Sequence, residues 1–320
     1  MIIENSKTYK GKELEDIFFI PTFTGKAADE LGVRVLYNMP VPTNVTFWNH
    51  NVNLLQKFSS GWNGSNVSNR EQMTIDLQKV KAENCFSADD YSSLVYEHIL
   101  ASSDVNFGDL TGTELEKIET ELFRYAIVKG VYATMWLGDM SGEKSNFDTF
   151  DGFLKHIETI ADSGDTNLAS TLFNDEVKTG KDVMDACWEG ASGELKSLRS
   201  DGKLVYYVSS DIYNKYLAYL DEKGGDLAYN FTSDGASALT YHGIPVIEVS
   251  LSFQQYSYPK TFCVLTDRRN MVLALNTADT PENEVRMWYN PEEMENRQRA
   301  VFLAGTAILN PDMVSWAYKQ

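Results

Sequence analysis

Residues 260–275 read KTFCVLTDRRNMVLAL, residues 284–289 read EVRMWY, and residues 298–314 read QRAVFLAGTAILNPDMV. Each run is rich in β-branched and aromatic residues and is bounded by turn-forming residues, a pattern typical of β-strands joined by turns. The three runs contain no nucleophile with its base, no metal-ligand set and no phosphate-binding loop. They therefore predict a sheet, and they indicate a structural role for this segment instead of a catalytic one.

The composition is that of a globular protein. The chain has 320 residues, 43% of them apolar and 12% aromatic, which is enough for one large or two ordinary domains. No run reaches the roughly 18 apolar residues that a membrane-spanning helix needs. The first seven residues, MIIENSK, lack the basic region and apolar core of a secretory signal, so we expect none there.

The charge balance excludes one broad class of function. The formal net charge is −18, from 46 acidic and 28 basic residues. Attractive binding to nucleic acid needs basic patches, and Arg268-Arg269 is the only cluster of basic residues that we identify. A typical DNA-binding protein is therefore excluded, although solubility alone also explains a strongly acidic surface.

The residues that usually carry chemistry are scattered. Cys85, Cys187 and Cys263 are far apart and form no CxxC pair, so we expect neither a disulfide framework nor a zinc site, and a reducing, cytosolic setting is the default. None of the four histidines has a second His or a Cys at metal-ligand spacing, and we interpret all four as structural or surface residues: His50, His98, His156 and His242. Phosphate loops, dinucleotide fingerprints and nucleophile elbows are absent from the sequence. We predict no cofactor.

Three charged groups keep two interpretations open. The pairs Asp89-Asp90 and Glu292-Glu293 could bind a hard cation, although the first pair also suits the first turn of a helix. Asp267-Arg268-Arg269 could hold a phosphate or carboxylate through guanidinium forks, or form ion pairs at a turn or a subunit contact.

The N-terminal quarter predicts an arm followed by a hairpin. Pro40-Val41-Pro42 indicates an extended stretch, because proline fixes its own φ and disfavours helix at the residue before it. We interpret residues 1–44 as an arm that lies along another surface, or as a loop-rich lead-in. The polar tip at residues 59–69 separates a strand at residues 45–48 from one at residues 73–80, where apolar and polar residues alternate.

Helices follow. Ser87 is predicted to open a helix, and a longer helix is predicted from Thr113 to about residue 137, ending at Gly138-Asp139. The predicted apolar stripe of this longer helix consists of Leu115, Ile118, Leu122, Ala126, Val128 and Val131. Further helices are predicted over residues 153–160, 181–198 and 210–222, with strands at residues 204–208 and 244–249. Helices and strands without regular alternation indicate an α+β fold.

The order of these features resembles the tailed-phage major capsid protein family of the Hong Kong 97 type. The resemblance is carried by Leu137-Gly-Asp139 with Phe150-Asp-Gly-Phe-Leu154, by Gly243-Ile-Pro-Val-Ile247, by residues 266–272 and by residues 305–311. These match the end of the spine helix with its G-loop, an A-domain strand, a P-domain turn and the final strand of that family. One departure is that the arm starts almost at the first residue, whereas some members carry a scaffolding extension before it; we expect that scaffolding comes from another protein or that such an extension has been removed.

The resemblance implies a domain organisation. It divides the chain into an N-terminal arm (1–44), an E-loop hairpin (45–80), a first part of the P-domain (81–159), an A-domain (160–258) and returning P-domain strands (259–320). The first part of the P-domain would contain the spine helix (113–137) and the G-loop (139–152). A capsid fold with these parts implies assembly rather than catalysis.

The resemblance also implies partners and contact residues. The subunit would associate with itself as hexamers and pentamers, enclose double-stranded DNA without sequence-specific binding, and work with separate scaffolding, portal and decoration proteins, away from membranes. Its place would be the virion, after assembly in the host cytoplasm. The inter-subunit contacts expected from the arm, hairpin, loop and turn are Trp48, Lys57, Trp62, Asp139, Phe147, Phe150, Arg268 and Arg269.

Three alternatives stay open at the level of sequence. The same fold forms encapsulin shells that enclose enzymes in bacteria. An α+β enzyme is a different class, and it would need a convergent acid–base set that we do not find. A structural or adhesion module is the third alternative, and it would stay monomeric.

Overall fold

The computed structural model describes residues 7–9, 33–37, 43–50, 68–87, 114–142, 147–162, 169–172, 180–223, 229–231, 237–249, 251, 261–276 and 284–319. The strands in these ranges are β1 (Lys7–Tyr9), β2 (Arg34–Tyr37), β3 (Thr43–His50), β4 (Ser68–Ile75), β5 (Gln78–Ser87), β6 (Ala169–Leu172), β7 (Leu204–Ser209), β8 (Tyr229–Phe231), β9 (Ser237–Tyr241), β10 (Ile244–Val249), β11 (Thr261–Asp267), β12 (Met271–Asn276), β13 (Glu284–Asn290), β14 (Glu295–Ile308) and β15 (Val314–Lys319). The α-helices are α1 (Glu114–Leu137), α2 (Phe153–Asp162), α3 (Gly180–Gly190), α4 (Gly193–Ser197) and α5 (Ser210–Lys223). Short 3₁₀ turns cover Leu198–Asp201 and Pro311–Met313.

The first sheet is built around the long strand β14. One edge of β14 pairs antiparallel with β13 and then with β12, and the other edge pairs antiparallel with β5. Strand β1 adds antiparallel to β13, and β2 adds parallel to β12. Two described pieces of the predicted N-terminal arm therefore lie along a sheet of their own chain.

The second sheet has seven strands in the order β6-β15-β11-β7-β10-β9-β8. It is mixed, because β7 pairs parallel with β10 and antiparallel with β11. Strands β11 and β15, from the segment predicted to return to the P-domain, belong to this sheet, whereas β12, β13 and β14 belong to the first. The division into domains stays a prediction, but the C-terminal segment builds both sheets.

Strand β7 is the buried central strand of the second sheet. All six of its residues are buried, and successive side chains of a strand point to opposite faces. Tyr206 and Val208 lie in a hydrophobic cluster with α3 and α5, whereas Val205 and Tyr207 lie in a cluster with the end of α1. The continuous apolar run from residue 204 is therefore a strand covered on both faces.

Trp136 is the largest fully buried side chain in the cluster shared by both sheets. Its ring stacks on Phe262 of β11 with centroids 5.6 Å apart, and it makes an edge contact with Phe153 at the start of α2. A tilted contact with Tyr207 completes the packing at 5.2 Å. Because these partners come from three elements, the end of α1 is fixed against the second sheet.

Helix α1 confirms the predicted long helix and the buried position of Val131 in its predicted stripe, but not the whole stripe; the side chains of Leu115 and Ile118 lie outside what the structure describes. The buried face of α1 runs through Glu116, Glu119, Phe123, Ile127, Val131 and Thr134. The prediction that Leu122 and Ala126 belong to this face is wrong, because both are exposed. The error has a physical cause: the true face includes two glutamates and a threonine, so apolar periodicity alone selected a stripe rotated by about one residue.

The hairpin prediction is confirmed in its strands, which pair antiparallel from Thr43 opposite Ile75 to His50 opposite Ser68. The predicted second strand at residues 73–80 is divided, because Asp76 and Leu77 separate β4 from β5 and only β5 joins the first sheet. Ser87 ends β5, and the helix that it is predicted to open lies outside the residues that the structure describes.

The other helix predictions are confirmed with one break. The predicted helix at residues 181–198 divides at Ala191 and Ser192, where the Ser192 hydroxyl accepts a hydrogen bond from the Leu195 backbone at 3.1 Å and caps α4. A serine in this position favours a new helix start over continuation of the old helix.

Candidate functional site

The outer face of α1 exposes large apolar side chains. Leu122 is 55% exposed and Tyr125 is 59% exposed, and Ala126 beside them is also exposed. The Lys129 ammonium lies 4.2 Å from the centre of the Tyr125 ring, a cation–π contact that holds the ring on the helix surface. Single exposed apolar residues are ordinary, but a contiguous group on one helix face favours a contact surface.

An open groove of about 890 Å³ runs beside this face. One wall is α1, including Leu122, Ala126 and Lys129, and the other wall is the middle of β5, from Val80 to Asn84. Phe302 of β14 also lines the groove. The groove is large enough to receive a segment of polypeptide, and its lining mixes apolar side chains with charged side chains.

The loop after α1 is held closed by two glycines. Gly138 donates to the Thr134 carbonyl at 2.8 Å, and Gly152 donates to the Gly138 carbonyl at 2.9 Å. A Cβ on Gly138 would overlap the Phe150 carbonyl oxygen, and a Cβ on Gly152 would lie 2.7 Å from the Thr134 carbonyl oxygen. The two ends of the loop approach so closely that only glycine fits at these positions.

Asp139 stabilises the start of the same loop. Its carboxylate accepts hydrogen bonds from the Ser141 backbone at 3.0 Å and hydroxyl at 2.5 Å, and it pairs with the Lys155 ammonium at 3.0 Å. Partial burial opposes the charge, but the hydrogen bonds from Ser141 and Lys155 prevail and lower the pKa of the Asp139 carboxyl. Asp139 therefore fixes the loop within its own subunit, and its predicted contact with a neighbour stays a prediction.

Phe147 and Phe150 lie inside their own subunit. Phe147 is 8% exposed and Phe150 is 2% exposed, and both belong to the cluster that contains Trp136. Their predicted role as inter-subunit contacts stays untested, but their side chains offer little surface to a neighbour. Met140, in the same loop, has an exposed apolar side chain.

The turn between β11 and β12 contains an ion pair. Arg269 donates to Asp267 through Nε at 3.0 Å and Nη2 at 2.6 Å, a bidentate arrangement. Burial opposes the charge of the Asp267 carboxylate, but the bonds from Arg269 lower its pKa. The Arg268 backbone donates to the Lys203 carbonyl at 3.1 Å. The ion-pair interpretation of this turn is confirmed for Arg269, and its part in a subunit contact stays a prediction.

The hairpin carries the remaining predicted contacts. Trp48 lies in β3 opposite Arg70 of β4. Lys57 and Trp62 lie outside the residues that the structure describes. A role for these three in contacts between subunits stays a prediction.

Sequence reasoning missed a polar group at the base of the hairpin. His156 of α2 lies 3.1 Å, from Nε2 to Oγ1, from Thr306 of β14, and the Thr306 hydroxyl donates to the Asp151 carbonyl at 2.5 Å. These residues are far apart in sequence and belong to no motif, so only the fold brings them together.

The described residues offer no sign of a metal centre or a membrane span. Over these ranges, no three His, Cys, Asp or Glu side chains come together in a way that could hold a metal ion. Within the same ranges, no helix combines the length and the apolar character that crossing a membrane requires.

Comparisons with known proteins identify the fold. No protein-family model and no curated protein matches the sequence. A chain of the satellite phage P4 procapsid, which includes the size determination protein Sid, matches at 11% identity over 90% of this chain and 92% of that chain, with a TM-score of 0.53. A chain of Gordonia phage Cozz matches at 12% identity over 90% and 84% of the two chains, with a TM-score of 0.50. A chain of the holo-SrpI encapsulin complex from Synechococcus elongatus PCC 7942 matches at 11% identity over 93% and 88%, with a TM-score of 0.49.

The first two similarities establish the architecture. The chain has an α+β fold. More particularly, it has the Hong Kong 97-type fold, as the order of its sequence features predicted.

Proposed function

We propose that this chain is the major capsid protein of a tailed bacteriophage, a structural subunit that self-assembles into an icosahedral shell around double-stranded DNA. The observation that carries the proposal is a common fold over 90% of this chain and 92% of a P4 procapsid chain. Because the similarity extends over nearly the full length of both chains, it reflects a shared fold and not a single shared motif. The subunit would have no catalytic role, and it would reside in the virion after assembly in the host cytoplasm.

The β3–β4 hairpin supports assembly because it is a weakly stable element by itself. Its strands form a separate two-stranded sheet, and a hairpin of this kind is at best marginally stable in water. Each strand has eight residues and spans roughly 26 Å at the usual rise per residue. We infer that the hairpin gains its stability by lying over a neighbouring subunit.

We propose that the hairpin of one subunit lies in the groove beside α1 of its neighbour. The groove offers Leu122 and Ala126 of α1 on one side and strand β5 on the other. Burial of apolar surface there would contribute roughly 25 cal/mol per Å² before the costs of ordering the two partners. Interdigitation of this kind enlarges the contact between subunits without enlarging the subunit, and large interfaces make oligomers obligate.

Contacts of hairpin to groove are heterologous, so they close into rings when the rotation between neighbours allows it. Rings of six and five would give hexamers and pentamers. The net charge of −18 suits a wall that encloses DNA without binding it, because like charges repel the phosphates. Scaffolding, portal and decoration proteins would be separate partners.

Size-exclusion chromatography followed by negative-stain electron microscopy of the full-length protein tests the proposal. We expect shells, tubes or ring-shaped capsomers. A uniform monomer at high concentration, even after co-expression with neighbouring phage genes, would overturn it. Shells filled with a bacterial enzyme instead of DNA would show the encapsulin alternative.

A matched pair of variants tests the assignment of the groove. Ala126→Glu places a charge on the exposed groove wall, and Ala218→Glu places the same charge on the exposed face of α5. We expect Ala126→Glu to prevent assembly and Ala218→Glu to permit it, with both proteins folded by circular dichroism. Equal assembly of the two variants would exclude the groove as a subunit contact.

A further inference from the structure

The turn between β13 and β14 exposes an apolar side chain in a strained backbone conformation. Residues 291–294 connect Asn290 of β13 to Glu295 of β14, and all four are exposed. Met294 is 64% exposed and has a φ of 57°, in the left-handed region that favours glycine and asparagine over methionine. Strain of this kind is concentrated at functional positions, so the turn is a candidate contact.

The two neighbouring acids of the turn differ in their partners. Glu293 pairs with Arg297 of β14. The Glu292 backbone N–H donates to the Asn290 side chain at 3.4 Å, but within the described ranges its carboxylate pairs with no cationic side chain. Over the same ranges, neither acid belongs to a group of side chains that could hold a metal ion. The turn therefore presents an apolar side chain close to a carboxylate that has no counter-charge in the described chain.

The outer face of β13 carries complementary groups. Val285 and Met287 lie in the core cluster with α1, so Arg286 and Trp288 point to the opposite face of the sheet. The Arg286 guanidinium carbon lies 5.8 Å from the centre of the Trp288 ring. An open pocket of about 460 Å³ beside Trp288 is lined by residues of β5, β13 and β14. This face can therefore accept a side chain and a charge from outside.

Arg286 lacks a counter-charge in the part of its own chain that the structure describes. Its Nε is buried without a hydrogen-bond partner, and no described carboxylate pairs with its guanidinium. Arg299 of β14 lies directly opposite Arg286, and like charges directly opposite one another across two strands are destabilising. A carboxylate supplied by another chain would offset this repulsion and accept a hydrogen bond from the guanidinium.

We propose that the β13–β14 turn of one subunit docks on the outer face of β13 in a second copy of the chain, where Glu292 pairs with Arg286 and Met294 packs against Trp288. A thioether sulfur and an aromatic ring attract each other, and the carboxylate and the guanidinium have opposite charges. Glu292 does not meet Arg286 of its own chain, because roughly 13 Å of strand separates Arg286 from the end of β13.

The contact joins two different surfaces, so it is heterologous and closes into a ring when the rotation between neighbours allows it. It is separate from the contact of hairpin to groove, because the residues of the turn and of the outer face of β13 do not line the groove beside α1. The inference rests on the proposed function, since it requires subunits that associate with one another.

An exchange of charges tests the contact in the full-length protein. Glu292→Arg and Arg286→Glu each place like charges across the interface, so each should raise the protein concentration needed for particle formation by about tenfold or more. The double variant restores opposite charges and should recover most of the loss. Light scattering and electron microscopy measure particle formation, and circular dichroism verifies that each variant is folded.

Glu222→Arg is the matched control, because it makes the same change of charge on the exposed surface of α5. It should leave particle formation unchanged. An equal loss from Glu222→Arg, or a double variant no better than the single variants, would overturn the proposal. A loss from Arg286→Glu without one from Glu292→Arg would also overturn it, since the face of β13 would then take its acid from another source. These results leave the proposed function intact while the wild type forms particles, whereas a wild type that stays monomeric would remove both.

Met294 provides a second readout, which also applies if Arg286→Glu does not fold. Asparagine is tolerated in the left-handed region, so Met294→Asn should raise the unfolding temperature of the dispersed subunit by about 1–3 °C while it weakens particle formation. Hydrogen peroxide converts an accessible methionine to its sulfoxide, and Met294 should react several-fold more slowly in wild-type particles than in dispersed subunits. Equal rates in the two forms, or undiminished assembly of Met294→Asn, would contradict the contact.

Discussion

The seven-stranded sheet and helix α1 differ in how they cover their apolar residues. Every residue of β7 is buried, because one hydrophobic cluster lies on each face of the sheet. Helix α1 buries one face and leaves Leu122 and Tyr125 more than half exposed on the other. The sheet completes its core within one chain, whereas the helix keeps apolar surface that a second chain could cover.

This difference separates residues that hold the subunit together from residues that could hold subunits to one another. A change in the shared core should affect both regions at once. A change on the outer face of α1 should affect assembly and leave the fold intact. Substitutions on either side of this boundary distinguish the two kinds of residue.

Trp136→Ala should be the most destabilising of these changes. Trp136 is 1% exposed and contacts Phe153, Tyr207 and Phe262, so its removal leaves a large cavity between α1 and the second sheet. Buried tryptophan to alanine changes cost about 3–5 kcal/mol in the free energy of unfolding. Denaturant titration measures the loss, and hydrogen exchange should show both sheets weakened together.

Leu122→Ala on the same helix is the matched comparison. Because its side chain is largely exposed, we expect a change within about 0.5 kcal/mol in the unfolding of the dispersed subunit. A large loss from Leu122→Ala, or a loss from Trp136→Ala confined to one sheet, would break the distinction between a shared core and an open face.

Gly138→Ala should have the next largest effect. The added methyl group would overlap the Phe150 carbonyl oxygen, a backbone atom that cannot move aside without opening the loop. Overpacking of this kind costs about 1–3 kcal/mol. Hydrogen exchange at residues 147–152 and thermal unfolding measure it.

Gly193→Ala is the control for the loss of a glycine. A Cβ at Gly193 has open space around it, so that variant should be nearly unchanged or slightly more stable. Equal losses from Gly138→Ala and Gly193→Ala would mean that the close approach of the loop ends does not decide the result.

The sequence predicted those parts of the fold in which side-chain pattern and burial agree. The run at residues 204–208 is apolar throughout, and it is a strand with both faces covered. The long helix ending at Gly138 was predicted because a glycine followed a long helical pattern. The buried face of this helix was not predicted correctly, because Glu116 and Glu119 occupy core-facing positions and a search for apolar periodicity passes over charged residues.

The burial of two loop phenylalanines shows the same limit. The resemblance assigns Phe147 and Phe150 to a subunit contact, which stays a prediction, and the loop that contains them folds back and buries both side chains. His156, Asp151 and Thr306 meet only because α2 packs on β14, with a separation of 150 residues between the histidine and the threonine. Local sequence carries no signal for a contact of that range.

Asp267→Asn should have a smaller effect that depends on pH. The substitution replaces a buried carboxylate, whose two oxygens accept hydrogen bonds from the Arg269 guanidinium, with a neutral amide. We expect a loss of about 1–2 kcal/mol near neutral pH. Because the pKa of Asp267 is lowered in the folded chain, its contribution is present above the ordinary value of 3.8 and is lost as the pH falls through the lowered value.

The variant should therefore approach the wild type in acid, which denaturant titration at several pH values measures. Asp221→Asn, on the exposed surface of α5, is the control and should show neither the loss nor the convergence. A constant difference between Asp267→Asn and the wild type at all pH values would contradict the ion pair as the cause.

Gly130→Ala is expected to have the smallest effect on stability and the opposite sign. Gly130 lies in the middle of α1 with nothing within 4 Å of an added Cβ, so alanine should stabilise the helix by about 0.5–1 kcal/mol. Gly130 also lines the groove, where the new methyl group takes space that a neighbouring hairpin would occupy. We therefore expect a more stable dispersed subunit that yields fewer particles, measured by thermal unfolding and by quantitative electron microscopy. If Gly130→Ala instead yields more particles, the groove is not closely packed in the shell. The exposed apolar residues of α1 would then have a role other than contact with a neighbouring hairpin.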